Sequence, residues 1–188
     1  GGSFNTESMA SFLDELKHEH QSLKEQQRRD ATIKDGPLEM FFDQGKARIF
    51  YNGKELTKQD GLNTHFFYDG KFIDSKNAFW EIERQSDNKI TAVAAWKGVP
   101  LEEIFEFELT KDSVISLNVR LKACQKLDLN DLELAVVGPK AYSGWFSLHE
   151  TGLLEAAHGI LLKDLSQKCI GLENSNNPGS PRIILSML

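Results

Sequence analysis

The sequence predicts an all-β protein, an antiparallel two-sheet β-sandwich preceded by an N-terminal helix. Three observations carry the prediction. A helical pattern free of Pro and Gly runs from Thr6; the period of the apolar residues changes from helical to alternating after Leu38; and turn-forming residues interrupt the alternation repeatedly with no helical stretch between.

The opening segment, Thr6 to about Asp30, is rich in Glu, Lys, Gln and Leu, and Met9, Phe12, Leu13, Leu16 and Leu23 recur at helical spacing. Thr6 or Ser8 is placed to cap its start, and Arg28 and Arg29 near its end complement the helix dipole. The apolar stripe thins after Leu16, so the second half is expected to be solvated or to rest on a neighbour, as in a connecting helix. Asp35-Gly36-Pro37 then ends the pattern. The division read from these features is residues 1–36 for a cloning remnant (Gly1-Gly2-Ser3) plus the connecting helix, and residues 37–188 for the β domain.

Within that domain the clearest alternation sets Ile115, Leu117, Val119, Leu121 and Ala123 against Ser116, Asn118, Arg120 and Lys122. Phe105, Phe107 and Leu109 alternate with Glu106, Glu108 and Thr110, and Lys111-Asp112-Ser113 is short enough to join the two segments as a hairpin. Alternation also marks Ala47 to Tyr51, Ala78 to Ile82, Ile90 to Trp96 and Leu132 to Val136. Turn signals separate these segments at Asn52-Gly53, Asp69-Gly70, Asp87-Asn88, Gly98, Asn130-Asp131 and Gly138-Pro139. After Trp145 the pattern is less regular. Thr151 to Leu165 reads as a short helix or as a loop holding a strand at Ile160 to Leu162, and Lys168 to Leu172 and Arg182 to Met187 read as strands around a polar loop from Asn174 to Pro181. The apolar run to Leu188 carries no stop signal, and more chain is expected beyond it.

At 188 residues the chain has room for one sizeable core. Its 40% hydrophobic and 27% charged residues are too apolar a mixture for intrinsic disorder. A net charge of -6 and a pI near 5.4 argue against a nucleic-acid partner, whose backbone calls for clustered Lys and Arg. No apolar stretch reaches the ~20 residues of a membrane span. Cys124 and Cys169 have neither CxxC spacing nor a His at zinc-ligand spacing, so two free, buried thiols are expected, with no metal or cofactor. Free thiols and acidic charge together point to the cytoplasm.

There is no Gly-rich phosphate loop, HExxH, GxSxG or calcium-loop motif. His18 and His20 fall on different faces of the helix, which leaves His65, His149 and His158 as candidates for acid–base work. Glu81, Glu83, Glu106 and Glu108 fall on outward strand positions. Spacing i, i+2 sets such pairs about 7 Å apart, compatible with paired-carboxylate glycosidic chemistry and equally with a wetted sheet face. Trp80 and Trp96 take the apolar phase and are expected in the core. Tyr142 and Trp145 stand beside Gly138, Pro139 and Gly144, near a strand end where binding loops collect. Rings that stack on sugar faces, with polar groups for the hydroxyls, make Trp145, Tyr142, Arg120, Glu81 and His65 the expected carbohydrate-binding residues.

The run Asn52-Gly53-Lys54-Glu55-Leu56-Thr57, Gly61-Leu62 with the aromatic segment through Tyr68, Ala78-Phe79-Trp80-Glu81-Ile82, Trp96, and the hairpin from Glu102 to Ala123 resemble the galactose mutarotase-like, carbohydrate-handling β-sandwich superfamily. The resemblance covers residues 38 to 145. It implies a twisted two-sheet sandwich with a sugar groove across the concave sheet. Aldose epimerases of that superfamily use a His acid and a Glu base; His65 comes too early in the chain for the acid, and the late Glu173 matches no motif. That gap favours the members that bind glycans as auxiliary domains.

The leading expectation is therefore a non-catalytic carbohydrate-binding or accessory domain of a larger polysaccharide-handling protein, partnered by carbohydrate and by other domains of the same parent protein. The second is a sugar-acting enzyme of epimerase, lyase or glycosidase type, which needs a His and a carboxylate within about 7 Å in one cleft. The third is a protein-interaction module assembled through the N-terminal helix.

Overall fold

A computed structural model describes residues 6–58, 60–112, 114–139, 141–154 and 169–186, with side chains described between Met9 and Ile184. Helix α1 spans Thr6–Asp30, as its periodicity predicts. It ends where Ala31 enters the core and the Thr32 hydroxyl donates back to the Arg28 carbonyl at 2.6 Å. Strands β1 (Thr32–Asp35), β2 (Leu38–Asp43), β3 (Lys46–Tyr51), β4 (Lys54–Glu55), β5 (Leu62–Tyr68) and β6 (Lys71–Asp74) precede a 3-10 turn at Ser75–Asn77. The sheet thus begins ahead of the expected boundary at residue 36. A meander follows, built from β7 (Phe79–Ser86), β8 (Lys89–Trp96), β9 (Val99–Leu109) and β10 (Ile115–Ala123). The last described strands are β11 (Leu129–Val136), β12 (Gly144–Ser147), β13 (Thr151–Leu153), β14 (Cys169–Glu173) and β15 (Ile183–Ser186).

Among the described residues the chain is mostly β and its strands fall into three antiparallel sheets, where the sequence predicts two. The first has the order β1-β2-β3-β5-β11 with β4 on β3 and β6 on β5, the second β10-β9-β8-β7, the third β13-β12-β14-β15. β9 and β10 pair as the antiparallel neighbours expected, with Leu109 opposite Ile115. Asn52 and Gly53 turn with φ of 50° and 73°, the left-handed pair whose twist suits a tight hairpin. Asn130-Asp131, expected as a turn, lies inside β11. A bulge between Asn130 and Glu133 accommodates Asp131 at φ 51°, and the strand continues along β5. The strand expected at Ile160 to Leu162 lies outside the described residues. Both cysteines are free, but neither is buried as expected: Cys124 is exposed, because β10 ends at Ala123 and leaves it in the following loop, and Cys169 is half-buried.

Alternation decides the core. Ile33, Leu38, Met40, Phe42, Ala47 and Leu62 of the first sheet meet Ile90, Ala92, Phe105, Phe107 and Leu109 of the second in one buried cluster. Phe42 packs edge-on against Trp80 at 4.8 Å and Phe105 at 5.9 Å, contacts each worth about 1 kcal/mol beyond their area. Phe66, Ala94, Trp96 and Leu101 extend the same interface. Leu56, Tyr142 and Ile183 join the third sheet to the first, packing against Ile49 and Tyr51.

Trp80 packs against both larger clusters, and its indole N–H donates to the Ser75 carbonyl at 2.7 Å. Trp96 donates to the Asp74 carbonyl at 3.1 Å. The Ser75 hydroxyl donates to the Gly45 carbonyl at 2.6 Å and accepts the Thr64 N–H at 3.2 Å, so one turn ties the β2–β3 turn, β5 and two tryptophans together. Gly45 permits this approach: it holds φ +83°, and a Cβ there would collide with the Ser75 carbonyl and stand 2.7 Å from Trp80 Nε1. Gly53 shares the left-handed conformation, φ +73°, but faces open space. Gly45→Ala should therefore lose at least about 3 kcal/mol of stability in urea unfolding, against about 1 kcal/mol for Gly53→Ala. Equal losses would refute the close-approach argument.

Candidate functional site

Among the described residues, a buried carboxyl inside the protein and a cluster of ionisable and aromatic side chains on its surface are the candidate places for chemistry. Inside, strict alternation along β9 puts Glu103 on the same face as Leu101, Phe105 and Phe107, and the side chain is fully buried. Thr64, on the inward phase of β5, donates its hydroxyl to Glu103 Oε1 at 2.6 Å across the gap between the sheets. Oε2 has no partner. Burial raises the carboxyl to about 7; the Thr64 hydroxyl opposes the shift and the Asp74 carboxylate adds to it. Such a group has the proton affinity of a general acid, but its side chain is fully buried and its hydrogen bond to Thr64 joins the two sheets.

The surface cluster lies on the other face of β5. Because Thr64 and Phe66 point inward, His65 and Phe67 point outward. His65 is the register partner of Glu133 on β11, and Nε2 lies 2.8 Å from Glu133 Oε2. The Asp69-Gly70 turn fixes β6 so that Phe72 stands opposite Phe67, with ring centroids 5.5 Å apart; Phe72 is also 5.1 Å from the His65 ring. Phe67 is 38% and Phe72 53% exposed. Asp74, opposite His65, shares the Lys76 ammonium with Asp60 at 3.1 and 2.9 Å. Burial works against the charge on Lys76, but the two carboxylates outweigh it and raise the pKa above the ordinary lysine value. Asn130, the partner of Phe67, also lines an open hollow of about 420 Å³ with Asp69, Lys126 and Asp128.

The five expected binding residues are not brought to one place. His65 belongs to the cluster just described. Glu81 and Arg120 lie in one row across the outer face of the second sheet, through Val93 and Ile104, but on its two edge strands, about 14 Å apart by strand spacing. Arg120 is engaged with Glu106 at 2.8 Å. Trp145 lies in the third sheet with its indole across Gly152, where a Cβ would sit 2.6 Å from Nε1. Tyr142 is buried, and its hydroxyl donates to the Pro181 carbonyl at 2.7 Å; burial pushes the phenol pKa up. The hollow beside Tyr142 encloses about 80 Å³, small against the roughly 300–1,000 Å³ of ordinary ligand pockets.

Sequence reasoning missed Glu103, Glu133 and Phe72. Glu103 was marked by the Glu102-Glu103 doublet, which forces one carboxylate onto the apolar phase, and Phe72 by its distance from a two-residue turn. Nothing local marks Glu133, whose partner lies on a distant strand. Comparison of the chain with family models, curated proteins and solved structures returns no match.

The raised carboxyl of Glu103 has a sign that can be measured. A carboxyl that holds its proton more tightly when folded contributes stability below its unfolded pKa of 4.5, and that contribution fades as pH rises to about 7. The difference amounts to about 3 kcal/mol. Urea unfolding between pH 4 and 8 should show this decline in the native protein and not in Glu103→Gln; the same decline in both would remove Glu103 as its source.

Proposed function

We propose that this chain is a non-catalytic carbohydrate-binding or accessory domain of a larger polysaccharide-handling protein, and that it presents the outer face of β5, β6 and β11 to a glycan. In this reading the first two sheets are the layers of a galactose mutarotase-like sandwich. The observation that carries the proposal is the pair of uncovered rings, Phe67 and Phe72, beside the hydrogen-bonded His65 and Glu133. An exposed ring offers the apolar face of a pyranose a stacking surface, while an imidazole, three carboxylates and an ammonium supply donors and acceptors for hydroxyls. The neighbouring hollow with Asp69, Asp128 and Asn130 extends the polar part of that surface. The same His65–Glu133 contact favours the enzymatic reading, which needs a His beside a carboxylate. However, Glu133 is exposed on an open sheet face, and that suits hydroxyl recognition better than water-excluded proton transfer.

Calorimetric titration with oligosaccharides selected on a glycan array tests the proposal. Phe72→Ala should weaken binding at least about ten-fold, in keeping with loss of one stacking contact, and Trp145→Ala should leave it unchanged. Absence of binding to any glycan by folded protein, or loss with Trp145→Ala alone, would reject this surface.

A further inference from the structure

We propose that α1 pairs, parallel and in register, with the α1 of a second copy of this chain to form a short two-stranded coiled coil. This does not depend on the glycan reading, because the two surfaces lie on different elements. From Met9 to Arg29 every side chain of α1 is exposed, Phe12 at 59% and Leu23 at 56%. Among the described residues, the hydrogen bonds and ring contact that tie the helix to the β domain lie at its last turn, where Arg84 donates to the Arg29 carbonyl at 2.7 Å and Arg28 stands over the Phe41 ring at 5.2 Å. A helix gains most of its stability by packing an apolar face, so a 25-residue helix with its stripe uncovered calls for a partner.

The pattern of the stripe identifies that partner. Met9, Leu16 and Leu23 recur every seventh residue, and Leu13 and His20 fall between them at the complementary seam positions of a heptad. Residues on the side opposite the seam, Asp14, Glu15, His18, Gln21 and Glu25, are polar. In a parallel pair in register, Glu19 of each helix flanks the seam beside Lys24 of the other, and two-fold symmetry makes that contact twice. Phe12 then lies along the stem of Lys17 of the other helix. Antiparallel pairing would instead set the edge carrying Lys17 and Lys24 against the same edge of its partner, like charge against like.

Sedimentation equilibrium of the full chain from micromolar to hundreds of micromolar tests the inference. The expected species is a dimer of the 21.2 kDa chain, returned to monomer by Leu16→Lys with an unchanged β-type circular dichroism spectrum. Glu19→Lys and Lys24→Glu should each raise the dimer Kd about five-fold, since each replaces two attractive contacts by repulsive ones. Mixing the two variants in equal amounts should restore the original Kd, because the mixed pair regains both contacts. A native chain that stays monomeric throughout, a dimer indifferent to Leu16→Lys, or variants that fail to rescue each other would overturn it.

Discussion

The contact between Glu103 and Thr64 sets the terms on which the first two sheets face each other. Apolar side chains on either side of it tolerate sliding, whereas a hydroxyl donated to a buried carboxyl accepts a narrow range of distance and angle. The same β5 backbone is tied through Ser75 to Gly45, and Ser75 and Asp74 receive the indoles of Trp80 and Trp96. Polar groups that would be costly in isolation therefore act together to select one alignment of two otherwise greasy layers. The unpartnered Glu103 Oε2 shows that this alignment is bought with some stability.

That alignment is also what gives β5 two different faces. Its inward residues, Thr64 and Phe66, are consumed by the core, and its outward residues, His65 and Phe67, are held on a firm sheet beside Phe72 and Glu133. Recognition of a flat, polar-edged ligand requires groups that do not have to be ordered at the moment of contact. A central strand with neighbours on both sides supplies them better than a loop would. The ion pairs of Lys76 with Asp60 and Asp74 fix the adjoining turn in the same way.

Much of the fold was legible in the sequence, because α1 and the meander depend on period and on turns, both of which are local. The expected helix and the antiparallel β9–β10 pairing follow from spacing alone. What could not be read was partnership at long range. Asn130-Asp131 has turn composition, yet the chain uses it as a bulge because β11 gains more by continuing along β5 than by reversing. The same return places Glu133 against His65, which no spacing rule connects. Tyr142 and Trp145 looked like loop aromatics beside glycines; Tyr142 instead fills the junction between sheets, and Gly152 is the platform for the Trp145 ring.

The connectivity of β5 and β11 also bears on how the chain assembles. The meander from β7 to β10 pairs only sequence neighbours, each closing a short loop, whereas pairing β11 with β5 encloses the whole meander. Closing a loop around an uncollapsed segment of that length carries a larger entropic cost than closing it around a compact one. The order of least resistance is the meander before the β5–β11 pairing. During synthesis β7 to β10 leave the ribosome before β11, so the long-range pairing that creates the outer surface of β5 becomes available only after the element it must enclose has been made.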